Sequence, residues 1–246
     1  MKKMITALAA CAVMSAALSA VAAPAQAAPK DPVSVLKAKL VPGHGVRFTE
    51  TVTWSDGTDE REVQDRKGAF QFDRKGVAAF DIDIHWDDDD YGRQRAVGIG
   101  KITYHSGGVM PIVLPEGKTW YKVKRYGMPD SYSQILNPAE PRTLAALIEH
   151  GKPAKSSVTG TITFKDLKRV SAWWAGAKAD KSFDNTKVSY TLTLTSAGLV
   201  SRVQSSYTAT EDGKSAMVAV DSRYSGWGAK VSVKAPDPAK VTTEFR

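Results

Sequence analysis

From Val46 onward the apolar residues of this chain recur at every second position, in one run after another, with turn residues between the runs. Side chains alternate faces with that period only in an extended backbone, so most of the chain must fold as strands with one buried face. Val46, Phe48, Val52 and Trp54 alternate with polar residues until the turn signal Ser55-Asp56-Gly57. A run over 61–72 follows, then one over 77–86 with Phe80, Ile82, Ile84 and Trp86 on one face and Asp81, Asp83 and His85 on the other. Runs over 93–105 and 119–125 complete a first set, with Asp87 to Asp90 as an acidic hairpin tip and Ser106-Gly107-Gly108 and Pro115-Glu116-Gly117 as breaks. A second set occupies 158–164, 187–195, 199–209 and 214–224, with Val188, Tyr190, Leu192 and Leu194 sharing a face. Its hairpin turns are Ser196-Ala197-Gly198 and Glu211-Asp212-Gly213. Ser225-Gly226-Trp227-Gly228 reads as a bend or bulge, followed by a short last strand at 231–234 and a Pro-rich tail expected to be loosely held.

The period lengthens in three places. Asp31 can cap a short helix in which Pro32 takes the first position and Val33, Leu36 and Leu40 share a face, ended by Pro42-Gly43. Pro141 can open a second, with Leu144, Leu147 and Ile148 as its apolar stripe and Gly151 and Pro153 as its stop. Asp166 can cap a third with Leu167, Val170 and Trp174 on one face and Trp173 beside them. Adjacent tryptophans on a helix point about 100 degrees apart, so at most one is expected to be central to the core.

Lys2 and Lys3 precede an Ala-rich apolar run over 4–23 that ends in Pro24-Ala25-Gln26-Ala27-Ala28. Ala25-Gln26-Ala27 fits a small-residue cleavage site, so residues 1–27 read as a signal peptide and 28–246 as a single secreted domain. Leu8-Ala9-Ala10-Cys11 offers a lipoprotein signal as the second reading, weakened by the short apolar stretch before it and the apolar rather than polar tether after it. A permanent anchor is the third, weakened by the alanine content and the processing site. Cleavage after Ala27 removes Cys11, the only cysteine, so stability must come from a core and no thiol chemistry or Cys-ligated metal is expected. No stable membrane span is expected to remain.

The 34 lysines and arginines outnumber the 26 aspartates and glutamates, but the surplus is spread along the chain without a basic tract interleaved with aromatics. Nucleic acid is therefore not an expected partner, whereas loose attraction to a membrane surface or cell-wall polymer is compatible with the charge.

The order helix, meander, two central helices, meander is carried by particular phrases. They are Gly98-Ile99-Gly100-Lys101-Ile102-Thr103-Tyr104, Asn137-Pro138-Ala139-Glu140-Pro141 before a Leu-rich helix, residues 160–167 (GTITFKDL), residues 190–199 (YTLTLTSAGL) and residues 224–231 (YSGWGAKV). In these the chain resembles the actinobacterial envelope proteins LppX and LprG and, more distantly, the lipoprotein carrier LolA, over nearly the whole of 28–246. The resemblance implies an α+β fold: a curved, mostly antiparallel half-open β-barrel with a short N-terminal helix and two central helices against the concave face. It also implies an apolar cavity for acyl chains and no catalytic set. Cys11 sits too early to match the lipidation site of many relatives, which puts tethering in doubt.

A curved sheet with an apolar inner face must fill that face with side chains or leave a cavity, and an acyl chain gains about 0.8 kcal/mol per CH₂ buried. The candidate cavity-lining residues are Phe80, Ile82, Ile84, Trp86, Leu144, Leu147, Ile148, Val170 and Trp174; the same residues serve equally well to close a core. Asp81, Asp83 and His85 followed by Asp87 to Asp90 lack the Gly and terminal Glu of a calcium loop and read as a solvated polar face, so no metal is expected. His44, His85, His105 and His150 occur in no metal-binding spacing, and no Gly-x-Ser-x-Gly elbow is present, so no catalytic residue or cofactor is nominated. His150 suits the last turn of its helix, where a cation is favoured. The expected function is a secreted, non-catalytic binding or carrier protein for lipid or another hydrophobic ligand in the cell envelope. The alternative is a regulatory interaction module resembling the sigma-factor regulator RseB, with an envelope protein as partner.

Overall fold

The alternating runs become one sheet. The structure, a computed structural model, describes residues 31–87, 92–128, 133–211 and 214–246; the segment expected to be a signal peptide, most of the acidic tip and two residues of the Glu211-Asp212-Gly213 turn lie outside them. The first meander is β1 (His44–Ser55), β2 (Glu60–Phe72), β3 (Val77–Trp86), β4 (Arg93–Ile99), β5 (Ile102–Gly107) and β6 (Trp120–Val123). The second is β7 (Gly151–Pro153), β8 (Ser157–Thr163), β9 (Lys187–Leu194), β10 (Val200–Glu211) and β11 (Lys214–Lys230), and a two-residue β12 (Val241–Thr242) follows. The two meanders fuse where β1 pairs antiparallel with β11, from His44 opposite Lys230 to Ser55 opposite Met217. The resulting strand order is β12-β6-β5-β4-β3-β2-β1-β11-β10-β9-β8-β7, a 12-stranded sheet with β7 and β12 at its two ends. The sheet is not closed into a barrel.

Among the described residues five α-helices accompany it: α1 (Pro32–Lys39), α2 (Met110–Val113), α3 (Pro141–Glu149), α4 (Phe164–Val170) and α5 (Ala172–Gly176). Asp31 caps α1 through its carboxylate to the N–H groups of Val33 and Ser34, with Pro32 in the first turn, as its sequence predicts. None of the described helices is long and apolar enough to cross a membrane.

Several local expectations need correction. The run over 93–105 is two strands, because Gly100 at a φ of 57° turns the chain back and Ile99 pairs with Ile102. The helix expected from Asp166 is α4 followed by α5. Its cap is Thr163, whose hydroxyl accepts from the Asp166 N–H (3.1 Å) and donates to the Asp166 carboxylate (2.7 Å). Ser171 then breaks the helix in an extended conformation and caps α5 by accepting from the Trp174 N–H. Both tryptophans are buried, Trp173 to 1% and Trp174 to 6% exposure, because α5 is wedged between the sheet and α4 and offers each indole its own neighbour. No separate strand exists at 231–234. Instead β11 continues to Lys230 through a register shift opposite Gly45 and Arg47, the bulge anticipated at Ser225 to Gly228. The C-terminal segment expected to be loose is bound: β12 lies parallel to β6, Val233 N–H donates to Gln71 (2.7 Å) and Thr119 N–H donates to the Lys240 carbonyl (3.0 Å).

Burial follows the alternation. Val46, Phe48 and Val52 of β1, Phe70 and Phe72 of β2, Phe80, Ile82 and Ile84 of β3, Val188, Tyr190 and Leu192 of β9 and Val203 of β10 are all buried, and their neighbours in sequence are mostly polar and more exposed. This inner face and the helices share one main apolar cluster; Val52, Val218 and Val220 form a smaller one.

Candidate functional site

Strand order dictates what covers the inner face. β6 lies next to one end of the sheet and β7 forms the other, so the chain between them must cross the sheet. It does so on the inner side: every residue from Ser133 to Glu140 is buried, although none of them is in a strand or helix. A buried irregular segment must find partners for its backbone groups, and here side chains supply them. The Gln134 N–H donates to Glu50 Oε1 (3.0 Å), and the Gln134 side chain accepts from Ser205 Oγ (2.9 Å) and the Leu136 N–H (3.2 Å) while donating to Ser222 Oγ (3.1 Å). Asn137 Oδ1 accepts from the Ala139 N–H (3.0 Å), but its buried Nδ2 has no partner among the described residues.

The anchor of this network is charged. Glu50 on β1 stands opposite Arg66 on β2, both side chains being 1% exposed, with Arg66 Nη2 2.7 Å and Nε 2.8 Å from Glu50 Oε1. Glu50 Oε2 accepts from Ser222 Oγ at 2.8 Å. Buried Tyr224, near Glu50, has its phenol pKa pushed well up by burial first and by that carboxylate second. Sequence reasoning passed over Glu50 and Arg66, yet the alternation marks both: Glu50 has the parity of Phe48 and Val52, and Arg66 that of Phe70 and Phe72.

The aromatic half of the inner face meets α5. Trp173 presents its ring edge-on to Phe70 and Phe80, both with centroids 5.3 Å away, and its indole N–H donates to the Gln134 carbonyl (2.9 Å). Trp174 packs on Phe164 at 4.4 Å and donates to its carbonyl. The Tyr190 hydroxyl donates to the Leu147 carbonyl (2.6 Å), and burial raises its pKa to about 12.

A second buried carboxylate closes the segment. Glu140 accepts from Ser171 Oγ (2.6 Å), Thr143 Oγ1 (2.8 Å) and the Trp173 N–H (2.9 Å). Burial raises its pKa, and these hydrogen bonds oppose the rise. Glu140 therefore ties the crossing segment, α3 and α5 together.

Of the nine candidate cavity-lining residues, Phe80, Ile82, Ile84, Leu144, Leu147 and Trp174 are buried, and Trp86, Ile148 and Val170 are half-buried against the same cluster. The structure brings all nine onto one apolar interior and occupies the space beside them with the crossing segment and Trp173. At its margins this interior meets open volume, where Val170 and Ile84 each line a pocket. A groove of about 1010 Å³ is lined largely by hydroxyl and amide side chains such as Thr51, Thr53, Thr159, Thr191, Gln204 and Ser206. A pocket of about 410 Å³ lies at the Glu140 end of the crossing segment.

The polar face of β3 is solvated, as expected, and two of its acids meet one cation there. Asp81 is held bidentate by Arg95 (2.9 and 2.7 Å), and Asp83 lies 3.9 Å from the same guanidinium. No group of metal-ligating side chains occurs among the described residues. His105 is half-buried, and burial, then the Arg125 charge, lowers its pKa to about 4.

No family model matches this chain, and no curated protein matches it. Solved structures do. The chain is similar to a LolA superfamily protein from Nitrosomonas europaea, 9% identical with a TM-score of 0.35 over 79% of this chain and 90% of that one. It is similar to a DUF1329 family protein from Desulfovibrio piger, 8% identical with a TM-score of 0.34 over 83% and 95% of the two chains. A third similarity, to isotype 1 transferrin binding protein B from Neisseria meningitidis, has 10% identity and a TM-score of 0.28 over 79% of this chain and 27% of that one.

Proposed function

We propose that this protein is an exported, non-catalytic binding or carrier protein for a lipid or similar apolar ligand of the cell envelope, a half-open barrel whose concave face takes the ligand in place of the segment over 133–140. The observation that carries this reading is what covers the inner face. Phe70 and Phe80 do not meet a second sheet; they are covered by the Trp173 indole of a five-residue helix, which is hydrogen-bonded to the irregular buried segment over 133–140. Such a cover is held by side-chain hydrogen bonds and by the buried side chains of Ile135 and Leu136 rather than by a strand ladder, so it can leave without dismantling the sheet. Its seat is also imperfect, since an unpaired buried donor such as Asn137 Nδ2 costs about 1–3 kcal/mol. Withdrawal of segment and indole would bare Phe80, Ile82, Ile84, Leu144 and Leu147, residues able to receive an acyl chain.

The test is native mass spectrometry, with solvent extraction, of the chain purified from its own secretion medium. A stoichiometric apolar adduct, or uptake of an acyl probe with quenching of tryptophan fluorescence, is the expected result. A ligand-free protein that takes up no probe would overturn the carrier reading. One feature favours the second reading, an interaction module for an envelope protein: Val109, Ile112 and Phe245 are 46%, 68% and 54% exposed, and α2 is tied to the C-terminal end by Arg246 Nε donating to the Ile112 carbonyl. Substituting Ile112→Asp would then abolish partner capture while leaving acyl uptake untouched.

A further inference from the structure

We infer that the pocket at the Glu140 end of the crossing segment binds a phosphate ester, the headgroup of an anionic amphiphile. The pocket, about 410 Å³, is formed where the β2–β3 turn meets the start of α3 and the α4–α5 junction. Four cations line it: Lys75 from the turn, Arg142 from α3, and Lys168 and Arg169 from α4. Two acids face them, and both are engaged elsewhere. Asp73 accepts from the backbone of Lys75 (2.7 Å) and Gly76 (2.9 Å), and Glu140 is held by Ser171, Thr143 and Trp173. Neither acid forms an ion pair with any of the four cations among the described residues; Arg169 has only an exposed contact with Asp166 at 3.3 Å, and Lys168 donates to the Ala179 carbonyl. Arg142 donates to the Arg169 carbonyl, which sets its guanidinium beside α4.

Four cationic residues around one concavity, two of which, Lys75 and Arg142, have no acid partner among the described residues, suit a compact polyvalent anion, and a phosphate, with its several acceptor oxygens, matches that donor set better than a carboxylate does. Apart from Ser171, which is held by Glu140, the rest of the lining is small or apolar, including Val77, Val170, Ala175 and the ring of Tyr126, which packs on Phe80 at 6.2 Å. The pocket thus joins the cationic rim to the apolar interior at the point where the crossing segment ends. A phosphate held there would leave an attached chain pointing toward the space that segment occupies. The headgroup assignment rests on the carrier reading; the phosphate site itself does not.

The experiment compares four ligands on the full secreted chain, by native mass spectrometry and calorimetry. These are phosphatidylglycerol and phosphatidylcholine presented in vesicles, glycerol 1-phosphate, and inorganic phosphate. The double variant Lys75→Gln/Arg169→Gln, both exposed positions, is compared with the distant charge-matched control Lys155→Gln/Lys230→Gln. The expected result is preferential uptake of phosphatidylglycerol, reduced about tenfold for each pocket cation removed and unchanged in the control. Equal uptake of both lipids, insensitive to the pocket variant, would overturn the headgroup site and leave the carrier reading standing. Binding of glycerol 1-phosphate or phosphate, without either lipid, would keep the anion site and overturn the carrier reading. Binding of none of the four would overturn both.

Discussion

A carboxylate and a guanidinium taken out of water cost several kcal/mol each unless they hold one another and further partners; Glu50 and Arg66 hold one another, and Glu50 also accepts from the Gln134 N–H and Ser222 Oγ. Removing one partner leaves a buried charge uncompensated, so Arg66→Met should lower unfolding free energy by about 3–5 kcal/mol in urea titration. The double variant Glu50→Leu/Arg66→Met should regain most of that loss. A double variant as unstable as the single would place the cost in the lost hydrogen bonds to Gln134 and Ser222 instead. Two titrating groups act in opposite senses. His105 has a folded pKa of about 4, below its ordinary value of 6.5, so the unfolded chain binds the extra proton and stability falls as pH drops through that window. Glu140 has a raised pKa, so its contribution is full at acid pH and is lost as pH rises above the ordinary carboxylate range. His105→Gln should flatten the loss of stability between about pH 6.5 and 4; an unchanged slope would mean that other groups carry it.

At the scale of elements, α5 is short yet fixed from several sides. Its C-terminal glycine sits against the backbone of the 126–128 segment so closely that a Cβ on Gly176 would lie 1.8 Å from the Tyr126 carbonyl oxygen, while the Met128 N–H donates to the Trp173 carbonyl (3.0 Å). Gly176→Ala should therefore lower stability by about 3 kcal/mol in thermal unfolding, because backbone rather than a flexible side chain must move. Thr163→Ala, which removes the cap of α4, should cost about 1 kcal/mol. Gly100→Ala would meet nothing within 4 Å and is strained only by its positive φ, so it should cost less than Gly176→Ala. Equal losses at Gly100 and Gly176 would show that the chain relaxes around the close contact at Gly176.

On the scale of the molecule, the sheet is continuous only because β1 pairs with β11, an alignment that brings His44 to Lys230. A contact so distant in sequence closes late and makes folding slow. The end beside β6 is guarded by β12, and the opposite end by β7, a short strand that ends in Pro153. Truncation after Lys234 should expose the β6 edge, lower Tm and produce aggregates in size-exclusion chromatography; a monomer of unchanged Tm would show that β12 guards nothing. Local signals determined much of this. Period two fixed which residues of β1, β3 and β9 face inward, Asp31 with Pro32 fixed the start of α1, and Leu144 with Leu147 fixed the buried stripe of α3, because each depends on neighbours a few positions away. Even the interior pair Glu50 and Arg66 was written in strand parity. What the sequence did not disclose was decided by contacts between distant segments. Residues 133–140 carry no helical or strand period, so nothing local marks them as the cover of the inner face. Both tryptophans of α5 are buried because the sheet and α4 each receive one. The four cations of the pocket come from a turn and two helices that only the completed sheet brings together. Alternation reports which side of a strand is apolar; what lies against that side depends on where the chain must cross to reach the other end of the sheet.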